Sequence, residues 1–183
     1  MRRFLAMSGL GIGMILSCAF WALAQEEKPA YIGVKKCKIC HKTEKQGRQF
    51  GKWEASKHAK AYAALGTPEA KEMAAERGVH GDPQKAPECL KCHVTAFGVD
   101  PSLIQASFKI EDGVQCETCH GPGSKYKGLK VMKDHEASLK AGLIVPNEKL
   151  CLQCHNEESP TYQEFVYKER VEEISHPVPE KKE

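Results

Sequence analysis

Aromatic residues make up only 7% of this 183-residue chain, and its mean hydropathy is −0.49. So little apolar material under-supplies an ordinary hydrophobic core, and something besides polypeptide must help to fill it. No basic patch with interleaved aromatics occurs, which excludes a nucleic-acid binder. One long apolar run is present, from Phe4 to about Leu23. It follows the positive segment Met1-Arg2-Arg3 and closes with Ala22-Leu23-Ala24 before Gln25.

That arrangement reads as a secretory signal peptide over residues 1–24, cut at a small-x-small site. A retained membrane span is the alternative; the glycines and serines inside the run and the cut site argue against it. Ile15-Leu16-Ser17-Cys18 also weakly resembles a lipoprotein processing site, the minority reading for this unpaired ninth cysteine. The expected mature chain, residues 25–183, is one domain with no stable membrane span, located in the periplasm or otherwise exported.

The other eight cysteines fall into four copies of Cys-x-x-Cys-His: Cys37-Lys-Ile-Cys40-His41, Cys89-Leu-Lys-Cys92-His93, Cys116-Glu-Thr-Cys119-His120 and Cys151-Leu-Gln-Cys154-His155. Two cysteines three apart can form thioethers to the two vinyl-derived carbons of a haem. The following histidine then lies under the iron as axial ligand. Paired zinc ribbons would use the cysteines but give no reason for a histidine after every pair. Disulfides meet the same objection and would close loops too small to constrain much. Four covalently bound haem c groups follow, and their apolar faces supply the missing core material. Haem attachment occurs outside the bacterial cytoplasmic membrane, in agreement with export. Loss of Arg2 and Arg3 leaves a net charge of +1. Four ferric haems with ionised propionates, each roughly −1, then make the oxidised protein about −3.

Four histidines lie outside the motifs: His58, His80, His135 and His176. His58, Ala61, Tyr62 and Leu65 fall at i, i+3, i+4 and i+7, which predicts a helix from about Lys52 to Gly66 with His58 on its apolar face. Asp134 is a predicted N-cap before His135, and Gly142 the stop after it. His176 precedes Pro177 and Pro179, which prevent helix continuation. These three are the candidate distal ligands; a satisfied core histidine is the alternative for His58. His80 lies in a loop after a helix that Thr67 caps, Pro68 starts and Gly78 ends. It is either a solvated side chain or the ligand of the second haem.

The motifs begin 52, 27 and 35 residues apart, so no fixed-period repeat is present. A short strand pair is expected between Phe97 and Gly113, and Gly121-Pro122-Gly123-Ser124 forces a turn. The fold class is mainly α, with short helices and loops packed around four c-type haems and little sheet. Lys35, Lys36, Lys38, Lys42, Lys45, Arg48 and Lys52 surround the first motif, against Glu44 alone. They form either a solvated face that pairs haem propionates or a docking patch for an acidic redox partner.

Tyr31-Ile-Gly-Val-Lys-Lys-Cys-x-x-Cys-His-Lys, Trp53-x-x-Ser56-x-His58-Ala-Lys-Ala, Cys-His-Val-x-x-Phe97-Gly98 and Gly113-Val-x-Cys-x-x-Cys-His-Gly-Pro-Gly resemble the tetrahaem cytochrome c-554 family. The likeness runs from about Tyr31 to His155. Best-known members accept electrons from hydroxylamine oxidoreductase in ammonia-oxidising bacteria. The resemblance implies closely stacked haems in parallel and perpendicular pairs. It implies bis-histidine ligation at three haems, with His58, His135 and His176 in the distal positions. It also implies an open second haem, on Cys89, Cys92 and His93. Departures are a shorter segment between the third and fourth motifs, a shorter tail, and His80, which has no counterpart. The expected function is electron transfer between a donor and an acceptor, such as hydroxylamine-oxidoreductase-like or membrane quinol-oxidising cytochromes. Reduction of nitric oxide or a nitrogen oxyanion at the open haem is the enzymatic alternative. A haem filament is the structural one.

Overall fold

The computed structural model of the chain describes residues 27–176. The predicted signal peptide, Cys18, Pro177 and Pro179 therefore lie outside the described residues. Among the described residues the fold is mainly α: ten short helices joined by loops and 3₁₀ turns, with no strand. The four motifs sit on α1 (Val34–His41), α5 (Pro87–His93), α6 (Cys116–His120) and α9 (Glu148–Cys151) with the residues that follow it. No described helix is long and apolar enough to cross a membrane.

Local chemistry explains several boundaries. Thr67 caps α4 (Pro68–Glu76) by accepting from the Ala70 N–H at 3.2 Å, with Pro68 at the first turn. Past that helix, Gly78 at φ +73° lets the Val79 N–H reach the Ala74 carbonyl. Asp134 caps α8 (His135–Lys140) through the Ala137 N–H at 3.0 Å. All three agree with the sequence reading, as does the turn at 121–124, where a Cβ on Gly121 would lie 2.8 Å from the Gly142 carbonyl oxygen.

Two expectations are overturned. The continuous helix from Lys52 to Gly66 is broken into α2 (Gln49–Ala55), a 3₁₀ turn at His58–Lys60 and α3 (Ala61–Ala64). Ser56 is extended, and both its N–H and its hydroxyl donate to the Trp53 carbonyl, at 2.9 and 2.6 Å. The His58 carbonyl accepts from the Ala61 N–H within the 3₁₀ turn and also from the Val114 N–H at 3.0 Å, while the Trp53 indole donates to the Val114 carbonyl at 2.7 Å. The expected strand pair between Phe97 and Gly113 is replaced by 3₁₀ turns at Pro101–Leu103 and Ile110–Asp112. Its backbone groups go elsewhere: the Leu103 carbonyl accepts from Tyr31 and the Gln105 N–H donates to Tyr31, a single parallel bridge.

The polypeptide's own core is thin. Ile32, Val34, Phe50, Leu65, Leu90, Val94, Val114 and Tyr126 are its larger apolar members, and Leu65, Leu90 and Val94 form one compact cluster. A buried polar network supplements it. Glu117, between the two cysteines of the third motif, accepts from the N–H groups of Ile32, Gly33 and Gly123 at 2.7–3.1 Å. Gln115 accepts from the Val34 N–H at 2.7 Å and donates to the Lys109 carbonyl at 2.8 Å. Thr95, two residues past His93, accepts from the Gln115 N–H at 2.7 Å and bonds the Thr118 hydroxyl at 2.6 Å. Side chains beside the third motif thus tie together the approaches to the first, second and third.

Candidate functional site

Three motif histidines are held through Nδ1 and the fourth by ring stacking. The His93 Nδ1–H donates to the Ala61 carbonyl at 2.7 Å, and the His120 Nδ1–H to the Ile144 carbonyl at 3.2 Å. A carbonyl can only accept, so these bonds fix the tautomer and leave Nε2 with the lone pair a metal needs. His41 Nδ1 lies 3.1 Å from Gln49 Oε1. Because the Gln49 amide donates to the Gln46 carbonyl, its oxygen faces His41 as an acceptor and the same tautomer follows. His155 is oriented by stacking instead: its ring lies 4.7 Å from that of Phe165, tilted by 21°.

Two of the spare histidines come to motif histidines. His58 faces His155 with ring centroids 6.0 Å apart, and His176 faces His120 at 5.9 Å. Imidazoles bonded on opposite sides of one metal, at about 2.0 Å each, have centroids about 6 Å apart. Among the described residues the buried His176 Nδ1 also has no hydrogen-bond partner. Burial holds His58, His120, His155 and His176 below the ordinary imidazole pKa, with neighbouring charge adding to it (His155 acting on His58, Arg170 on His155, His120 on His176). They are kept neutral, the form that ligates. On these observations the residues fit axial pairs of haem iron.

The remaining histidines are not brought together. His135 is exposed at the start of α8, and His80 is exposed in its loop; neither ring meets a motif histidine among the described residues. His80 lines a shallow cavity with Gly78, Val79, Lys85, Pro87 and Glu88, at the start of the helix that carries the second motif.

The thiols relate the motifs in space. Cys37 and Cys116 lie close enough to perturb each other's ionisation, and Cys154 lies within such reach of Cys92 and of Cys119, as Cys119 does of Cys151. In space the third motif therefore neighbours the first and the fourth, the fourth neighbours the second, and the Thr95–Thr118 bond ties the second to the third as well. His41 likewise lies within electrostatic reach of His120 and His176. Burial, then Cys151, pushes Cys119 up to about 11. Burial, then Cys92, pushes Cys154 up to about 12. The nearby Cys37, with burial behind it, raises Cys116 as well.

Sequence reasoning missed Glu117, Gln115, Thr95 and Gln49. Glu117 and Gln115 carried the one available signal, polar residues inside or beside a motif, but that signal does not separate a buried side chain from a solvated one.

A mainly helical chain with repeated Cys-x-x-Cys-His segments and facing histidine pairs has the make-up of a c-type cytochrome, a protein that holds haem c covalently and transfers electrons. The family described as cytochrome c554 and c-prime matches residues 36–121. Cytochrome c-554 of Nitrosomonas europaea is 31% identical over 149 residues, covering 77% of this chain and 60% of that protein. The chain belongs to the cytochrome c-554 family, and it spans about three-fifths of the length of this relative. No solved structure matches it.

Proposed function

We propose that residues 25–183 form a single periplasmic tetrahaem cytochrome that passes electrons between redox proteins. The observation that carries the reading is the facing of His58 with His155 and of His120 with His176 at about 6 Å. When bound, haem c supplies one-electron chemistry. The protein's residues do the rest. The cysteine pairs Cys37/Cys40, Cys89/Cys92, Cys116/Cys119 and Cys151/Cys154 anchor the four groups. His41, His93, His120 and His155 serve as proximal ligands. His58 completes the fourth site and His176 the third. His135 is left for the first, which requires α8 to bring it toward His41, and His93 keeps an open sixth position. Bis-histidine sites exclude substrate and favour a lower potential than His/Met.

Electron paramagnetic resonance of the oxidised holoprotein tests this, with haem counted by pyridine haemochrome. Four haems per chain, three low-spin and one high-spin, are expected. His58→Ala is expected to convert one low-spin signal to high-spin while keeping the haem count. An unchanged spectrum would remove His58 as a ligand. Fewer than four haems in the unaltered protein would sink the tetrahaem reading itself.

A further inference from the structure

Outside the histidine sites, the outer face of α1 presents an apolar centre among lysines. On that helix Lys35, Ile39 and Lys42 fall at i, i+4 and i+7, with Lys36 and Cys40 beside them one row round. All five are exposed, and Ile39 keeps 67% of its surface in solvent, the most of the exposed large apolar residues. Cys40 is the exposed one of the eight motif cysteines; the other seven are partly buried.

The basic side chains here are not equivalent. Lys38 is turned over the Phe50 ring, 4.6 Å from its centroid, and Arg48 is paired with Glu44. Lys35, Lys36, Lys42 and Lys45 hold no ion pair among the described residues, so their charge faces solvent.

We propose that this face is the electron-transfer port of the protein and that it docks an acidic redox protein. Ile39 and the Cys40 edge form the dry contact, and Lys35, Lys36, Lys42 and Lys45 ring it with charge that steers the partner in. The inference rests on a haem at the first motif. During transfer one electron leaves the reduced partner and one ferric centre becomes ferrous; no covalent bond changes. An apolar centre set in a basic rim favours fast, short-lived encounters over a permanent complex, as a carrier requires.

The test uses the haem-loaded full protein with flavodoxin, a small acidic redox protein, as probe. Binding of oxidised flavodoxin is followed by calorimetry, and electron transfer from its reduced form by stopped flow. Both are expected to weaken by about tenfold or more between roughly 20 and 500 mM salt. Lys35→Glu/Lys42→Glu is expected to cost about tenfold in both at low salt, whereas Lys130→Glu/Lys133→Glu on α7 (Leu129–Met132) and its end changes them by less than about twofold. If the double variant fails to load haem, Lys35→Gln/Lys42→Gln takes its place with a smaller loss expected. Equal effects of the two pairs, or no salt dependence, would overturn the port. So would unchanged binding accompanied by a shifted midpoint potential, because the lysines would then be serving haem propionates. A haem count below four leaves binding readable and strikes at the tetrahaem reading alone.

Discussion

Among single residues, Glu117 carries more of the structure than any motif cysteine's neighbour would be expected to. Its carboxyl satisfies three backbone N–H groups in a site only 2% exposed. Glu117→Gln replaces one acceptor oxygen by a donor that faces another donor, at a cost of about 2 kcal/mol. For a chain of this size that is a drop of roughly 4–8 °C in the thermal midpoint of the holoprotein; a change under about 1 °C would show the network to be dispensable. Histidine titration has a defined sign. His58, His120, His155 and His176 are held below the ordinary value of 6.5. Below that pH the unfolded chain binds more protons than the folded one, so stability falls as pH drops through 6.5 toward the folded values and is fully present above 6.5. Thermal midpoints at pH 7.5 and pH 5 check this: the acid value is expected to be lower. The same histidines show what was legible. Their type and number pointed to ligation, but no spacing rule reveals that His58 meets a histidine 97 positions away.

For the elements, the break between α2 and α3 matters most. Periodicity alone favoured one helix, and the apolar positions Tyr62 and Leu65 were read correctly as inward-facing. The break is held by Val114, whose N–H donates to the His58 carbonyl and whose carbonyl accepts from the Trp53 indole. Such partners lie about sixty residues away in sequence and leave no local trace. Gly113 is part of the same joint: at φ +69°, with the His58 carbonyl oxygen 2.8 Å from where a Cβ would be, it tolerates no side chain. Gly113→Ala is expected to destabilise the protein by about 1–3 kcal/mol. It should also disturb His58, seen as a high-spin fraction in electron paramagnetic resonance, which a purely distant loss of stability would not produce. Caps were legible for the opposite reason: Thr67 and Asp134 act on N–H groups three residues on.

At the level of the whole molecule, the thin apolar core predicts dependence on the bound groups. Few large side chains are buried, and Ile39, Leu129 and Val145 stay mostly in solvent. Polypeptide carrying serine in place of all eight motif cysteines is expected to lack native far-UV circular dichroism and cooperative unfolding. A native-like spectrum would contradict the view that haem completes the core. The neighbours of each motif are likewise a property of the whole: the third adjoins the first through α6 and α1 and meets the second through the Thr95–Thr118 bond.

The sequence by itself determined the chemistry. Cysteine pairs followed by histidine specify thioether and iron ligation over five residues, and low apolar content demands a cofactor-filled interior. Family likeness and a helical fold came with those residues. Only the tertiary structure decided which spare histidine faces which motif, which thiols adjoin, that residues 97–113 form turns, and that Glu117 is buried. Those outcomes depend on backbone and side-chain partners brought together from distant parts of the chain, and local pattern holds no record of such meetings.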